Sequence, residues 1–111
     1  MEFETEDHND DGAVIRLRGR LNMVAAPRLR ALVTDTVGRR RRQIVVDLAE
    51  TDFMDSSGLG ALIGGLKTAR QAGGDLRIAR PTEQVETVLK LTNMDRVLRP
   101  YPSVEDAFGA A

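Results

Sequence analysis

The stretch QIVVDLAETDFMDSSGLGALIGGLKTA, residues 43–69, changes its hydrophobic rhythm part-way along. Ile44, Val45 and Val46 form an unbroken β-branched run between Gln43 and Asp47, with Leu48 just beyond. A short apolar run without alternation, bounded by polar residues, predicts a central strand buried on both faces. Leu59, Leu62, Ile63, Leu66 and Ala69 then recur at steps of three and four, the spacing of an amphipathic helix that ends at Gly73-Gly74. Residues 49–56 read as the connection between the two. Ser56 and Ser57 stand where the helix begins.

The same pairing of strand and helix extends in both directions. Residues 2–7 alternate weakly and predict an edge strand, and Asn9-Asp10-Asp11-Gly12 supplies the turn of a hairpin into residues 13–21. In that second strand Val14, Ile15, Leu17 and Leu21 are interleaved with Arg16, Arg18 and Arg20, so one face should be wet. Pro27 suits the first turn of a helix carrying Leu29, Leu32, Val33 and Val37 and closed by Gly38. After Gly74, residues 76–79 read as a short strand, and Pro81 opens a helix with Val85, Val88, Leu89 and Leu91 on its apolar side. Residues 97–101 read as a last strand, and Ser103-Val104-Glu105-Asp106 is a capping-box pattern for a short helix towards Phe108. A hairpin followed by alternating helix and strand predicts the α/β class: a mixed sheet of four to five strands with about four helices packed against it.

With 111 residues, 41% of them hydrophobic, there is room for one domain, residues 1–111, with a modest core. The net charge of -1 gives no general attraction to nucleic acid or anionic membrane. The absence of cysteine excludes disulfides and thiolate metal sites, and His8 alone makes no imidazole cluster. The acidic, polar start is unlike a signal peptide, and no apolar run approaches the roughly 20 residues that cross a bilayer. A cytoplasmic protein without metal or cofactor is expected.

Other chemistries are weakly supported. Gly58, Gly60 and Gly64 fall one residue off the dinucleotide-binding fingerprint, but several residues separate Leu48 from Gly58 and the glycines lie within the helical period, where small residues allow close approach to the sheet. A hydrolase elbow needs glycine where Met54 stands, and His8, expected to be solvated, is the sole imidazole base. The acidic pair Asp10-Asp11 with Asp47 resembles a receiver's metal pocket, yet that pair sits in a hairpin turn. Arg39 to Arg42 follow a helix C-terminus, whose dipole they complement, and no aromatic residues are interleaved for base stacking. With a strand of five or six residues, this run lies roughly 17 to 20 Å from Ser56. It reads as a solvated loop.

A serine at a helix start has two available roles. Ser56 or Ser57 can cap the helix, worth about 1 kcal/mol. Alternatively, one can carry a phosphate: the positive helix end favours the anion, and a charge of about -1.5 to -2 beside Asp52 and Asp55 would repel a docked partner. Two neighbouring hydroxyls allow the roles to be divided.

Val45-Val46-Asp47-Leu48 followed by Asp52-Phe53-Met54-Asp55-Ser56-Ser57-Gly58-Leu59-Gly60 closely resembles the signature of bacterial anti-sigma factor antagonists, the single-domain STAS proteins. Gly19-Arg20-Leu21-Asn22 resembles the family's turn after its second long strand, and residues 103–108 its closing helix. The resemblance implies the STAS fold and a switch without catalysis. The unphosphorylated antagonist binds an anti-sigma factor, itself an ATP-dependent serine kinase, and so frees a sigma factor; phosphorylation of the serine after the aspartate breaks the complex, and a phosphatase resets it. On this chain the acceptor is Ser56. The implied partner surface is Asn22, Asp55, Ser56, Ser57, Gly58 and Leu59, with Gly58 letting the partner's backbone come close. Where the family often has aspartate the chain has Asn22, which keeps the turn chemistry and drops the charge. An alternative within the same resemblance is a STAS subunit of a membrane lipid ABC transporter, binding its ATPase constitutively.

Overall fold

A computed structural model describes residues 1–109. The order of elements is β1 (Glu2–His8), β2 (Gly12–Leu21), α1 (Ala26–Gly38), β3 (Gln43–Met54), α2 (Ser56–Gln71), β4 (Asp75–Ala79), α3 (Glu83–Leu91), a 3-10 turn at Met94–Arg96, β5 (Pro100–Tyr101) and α4 (Val104–Gly109). The five strands lie in sequence order in one sheet; β1 and β2 are antiparallel, and every later pairing is parallel. The mixed α/β architecture with an N-terminal hairpin is the one the sequence predicts.

Alternation along β3 divides the core between the two faces of the sheet. Ile44, Val46 and Leu48 belong to the main core with Leu29 and Val33 of α1, Leu62 and Leu66 of α2, and Val85 and Leu89 of α3. Val45 points the other way, into a smaller cluster with Ala79 and Ala107 against which Tyr101, Val104 and Phe108 pack. The central run is therefore buried on both faces, as its lack of alternation requires. Ser103 accepts a hydrogen bond from the Asp106 amide at 3.0 Å, capping α4.

Several boundaries depart from expectation. The strand that begins at Gln43 does not stop near Leu48 but continues to Met54. Its register against β2 shifts between Arg16 and Arg18, which face Asp47 and Glu50, and between Gly19 and Arg20, which face Thr51 and Phe53. Each shift gives β3 one extra residue, a bulge that breaks the two-residue period and hides the strand in the sequence. With 12 residues in β3, the arginine run is separated from Ser56 by much more than a strand of five or six implies. The last strand shrinks to Pro100–Tyr101, because Met94–Arg96 turns through 3-10 geometry to bury Leu98. Leu91 is 79% exposed, off the buried side of α3.

The arginine run is held rather than simply solvated. Arg39 pairs with Asp7 and Asp35, Arg41 with Asp7 and Arg42 with Asp11, tying the α1–β3 loop to the first hairpin. His8 is likewise engaged: its ring stacks on Phe108, with centroids 3.8 Å apart and planes 4° from parallel. Asp47, only 3% exposed, is gripped by Arg80 through two hydrogen bonds of 3.2 and 2.6 Å, with Arg16 at 3.5 Å. Its carboxylate raises the pKa of Arg80. Asp47 thus belongs to an ion-pair network, and among the described residues no group of three or more carboxylate, imidazole or thiol side chains could hold a metal.

Candidate functional site at the start of helix α2

Parallel pairing brings the ends of β2 and β3 together, with Leu21 opposite Met54. The Asp55 amide donates to the Leu21 carbonyl at 3.3 Å, so the chain stays pinned to β2 for one residue beyond the strand. Asp55 is extended and caps α2: its carboxylate accepts from the Gly58 amide at 2.9 Å, and its carbonyl from Leu59 at 3.0 Å. Capping, expected of Ser56 or Ser57, is thus performed by Asp55. Both hydroxyls are uncommitted, without a hydrogen-bond partner among the described residues. Ser56 is exposed and Ser57 half-buried.

Gly58 follows from the same geometry. A Cβ there would lie 2.2 Å from the Leu21 carbonyl oxygen and 2.8 Å from Leu21 Cγ, so the close neighbour is the chain's own β2. Leu59 is 8% exposed and packs into the main core. Gly60 and Gly64 lie within α2 beneath the Arg30 side chain of α1; besides Gly58, the glycine of α2 that approaches the sheet is Gly65, against Leu76 of β4 and Val33 of α1. Close approach to the sheet therefore accounts for Gly58 but not, contrary to expectation, for Gly60 and Gly64, and β3 ends closer to Gly58 than the sequence suggests.

Asn22 occupies the turn directly after β2. Its Oδ1 accepts from the amides of Val24 and Ala25, both at 3.1 Å, and its carbonyl from Ala26 at 2.9 Å. The side chain therefore fixes the entry into α1. The turn it holds presents Met23 and Val24, 71% and 76% exposed, at the same end of the sheet as Ser56. Sequence reasoning missed this pair, whose signal was two apolar residues in a turn with no strand or helix period to bury them. Phe53, half-buried, carries the Arg20 guanidinium 4.1 Å above its ring, and Asp52 is exposed. The site therefore combines two uncommitted hydroxyls, that of Ser56 exposed, a helix start capped by Asp55, and an exposed apolar pair. Of the expected site residues, Ser56 is on the surface, Asn22, Asp55 and Ser57 are partly accessible, and Gly58 and Leu59 are inside.

A family model for the STAS domain matches residues 2–107. The chain belongs to the STAS family of anti-sigma factor antagonists. A Thermotoga maritima relative, provisionally named an anti-sigma factor antagonist, is 30% identical over 99 residues, 88% of each chain. The anti-sigma F factor antagonist of Paenibacillus polymyxa is 28% identical over 108 residues, 96% of this STAS chain and 92% of its own. A crystal structure of an antagonist of the same provisional kind from Thermotoga maritima superposes with a TM-score of 0.87 at 29% identity, covering 96% and 92% of the two chains. The fold is shared with the anti-sigma factor antagonist SpoIIAA, solved unphosphorylated (TM-score 0.82, 24% identity, 96% and 93% covered) and, from Bacillus, phosphorylated (TM-score 0.75, 23% identity, 97% of each chain). Among the described residues of the STAS domain, no helix is long and apolar enough to cross a membrane.

Proposed function

We propose that this chain, as one cytoplasmic STAS unit, is a partner switch that acts by binding rather than catalysis. Unphosphorylated, it docks on an anti-sigma factor with ATP-dependent serine kinase activity and so releases a sigma factor. Phosphorylation of Ser56 ends the complex, and a phosphatase restores it. The observation that carries this reading is the freedom of the Ser56 hydroxyl: Asp55 has taken over the capping, so the serine is exposed with no structural task. SpoIIAA, which has the same fold, is known in both unphosphorylated and phosphorylated forms, and this supports the same kind of switch.

The physical basis is local. A phosphate on the first residue of α2 sits at the positive end of the helix, which favours the anion and leaves the fold intact. For a partner desolvating Met23 and Val24 at the same end of the sheet, however, a new charge of about -1.5 to -2 on Ser56 is costly. Exposed Asp52 has the same sign. Ser56→Asp places part of that charge permanently.

An affinity pull-down from the native host, with wild type and Ser56→Asp side by side, tests the proposal. The wild type should retain a kinase-like ATPase that the aspartate variant loses, while both give the same folded circular-dichroism signal. Retention of one transporter ATPase by both forms, or of nothing by either, would overturn it.

A further inference from the structure

We propose that Gln84 is a positioning residue for the acceptor turn, holding Met54 as a neighbouring strand would and thereby fixing where Ser56 is presented. This role rests on the reading of Ser56 as the acceptor. β4 pairs with β3 only from Gln43 to Asp47, whereas β3 runs on to Met54. Over that extension the edge of β3 away from β2 has no strand beside it. The chain leaving β4 turns at Arg80, in the left-handed region at φ 53°, and passes Pro81 into α3.

Side chains from the start of that helix take the place of the missing strand. The Thr82 hydroxyl donates to the Thr51 carbonyl at 2.7 Å. Gln84 Oε1 accepts from the Met54 amide at 2.8 Å, and its Nε2 donates to the Met54 carbonyl at 3.1 Å. A carboxamide is the side-chain group that offers a donor and an acceptor in the plane of a peptide, so it can complete both bonds of one residue. Met54 is thus bracketed by Leu21 on one side and Gln84 on the other, with its own side chain 1% exposed in the core. Asp55 follows immediately, and through it the cap that sets the first turn of α2.

Without Gln84, the part-buried amide and carbonyl of Met54 lose their partners, and the nearest bond left on that side of β3 is the one from Thr82 to Thr51, three residues earlier. Phosphate transfer needs the hydroxyl oxygen in line with the donor, so a spread of Ser56 positions lowers the reactive fraction without altering the docking surface. The effect should therefore fall on kcat more than on KM.

The test uses the full chain with Gln84→Met, which keeps the volume and removes both bonds, and Gln84→Ala as a second variant. Native-state amide exchange needs no kinase. Exchange at Asp55 and Gly58 should accelerate about tenfold in both variants while Val45 and Val46 keep their wild-type protection. Acceleration confined to Met54, with Asp55 and Gly58 unchanged, would show that the bonds serve only their own atoms and overturn the proposal. With the cognate kinase, well below the melting temperature, kcat for Ser56 should fall about tenfold at nearly constant KM; a variant that melts earlier yet keeps the wild-type kcat would also overturn it. If the wild type is not phosphorylated at Ser56, the acceptor reading fails on its own, and exchange at Asp55 and Gly58 still decides the role of Gln84.

Discussion

Replacing Gly58 by alanine tests the geometry of the site through the sign of its effect. Gly58 is inside α2, where alanine ordinarily stabilises a helix by about 0.5–1 kcal/mol. Here the added Cβ would meet the Leu21 carbonyl oxygen at 2.2 Å. That oxygen belongs to the backbone and is held as acceptor for the Asp55 amide, so it cannot swing aside. Reaching even 3.0 Å requires the start of α2 to part from the end of β2 by about 0.8 Å, and Leu21 Cγ, at 2.8 Å, adds a second overlap that must also be relieved. Overpacking of this kind costs about 1–3 kcal/mol, and contact with fixed backbone argues for the upper end. Subtracting the helical gain leaves a net loss of about 2 kcal/mol. A domain of this length loses about 4 °C of melting temperature per kcal/mol, so Gly58→Ala should melt about 8 °C lower. Thermal and urea denaturation followed by circular dichroism would measure it. A variant as stable as the wild type, or more stable, would refute the close approach and return Gly58 to the expected role of admitting a partner's backbone.

Three further substitutions divide the site between structure and switching. Asp55→Ala removes the cap of α2 and should cost about 1 kcal/mol, or roughly 4 °C, in the same melts; no change would place the cap elsewhere. Asn22→Asp keeps both hydrogen bonds through its acceptor oxygen and adds a negative charge near the start of α1, so stability should stay within about 0.5 kcal/mol of wild type while calorimetric affinity for the anti-sigma partner changes. Ser57→Ala should leave phosphorylation nearly unaffected, and phosphosite mapping that finds the phosphate on Ser57 would reverse the assignment within the pair.

The fold was legible wherever the hydrophobic period was clean. Ile44 to Val46 announce a doubly buried strand, and α2 follows the three-and-four spacing from Leu59 to Ala69. Reading failed where the period was broken by design. The two bulges opposite Arg16 to Arg20 desynchronise residues 49–54, so a strand carrying the site resembled a loop. Assignment of the cap failed for another reason: aspartate and serine are comparable at the cap position, and only the pinning of Asp55 to Leu21 decides between them. Long-range pairs such as His8 with Phe108, or Gln84 with Met54, leave no local mark, because the chain separates their members widely.

The bulges of β3 also bear on how such a protein can change over evolutionary time. In a pleated strand each residue added or removed reverses the facing of everything after it. Removing Asp52, the extra residue of the second bulge, would leave Phe53 and Met54 opposite Arg20 and Leu21, whereas a deletion in the regularly paired run from Gln43 to Asp47 would put every residue after it out of phase. Substitutions along this segment can be explored one side chain at a time. Changes of length are absorbed at the two bulges, so a lineage should be free to vary its count of residues there while conserving it along Gln43 to Asp47.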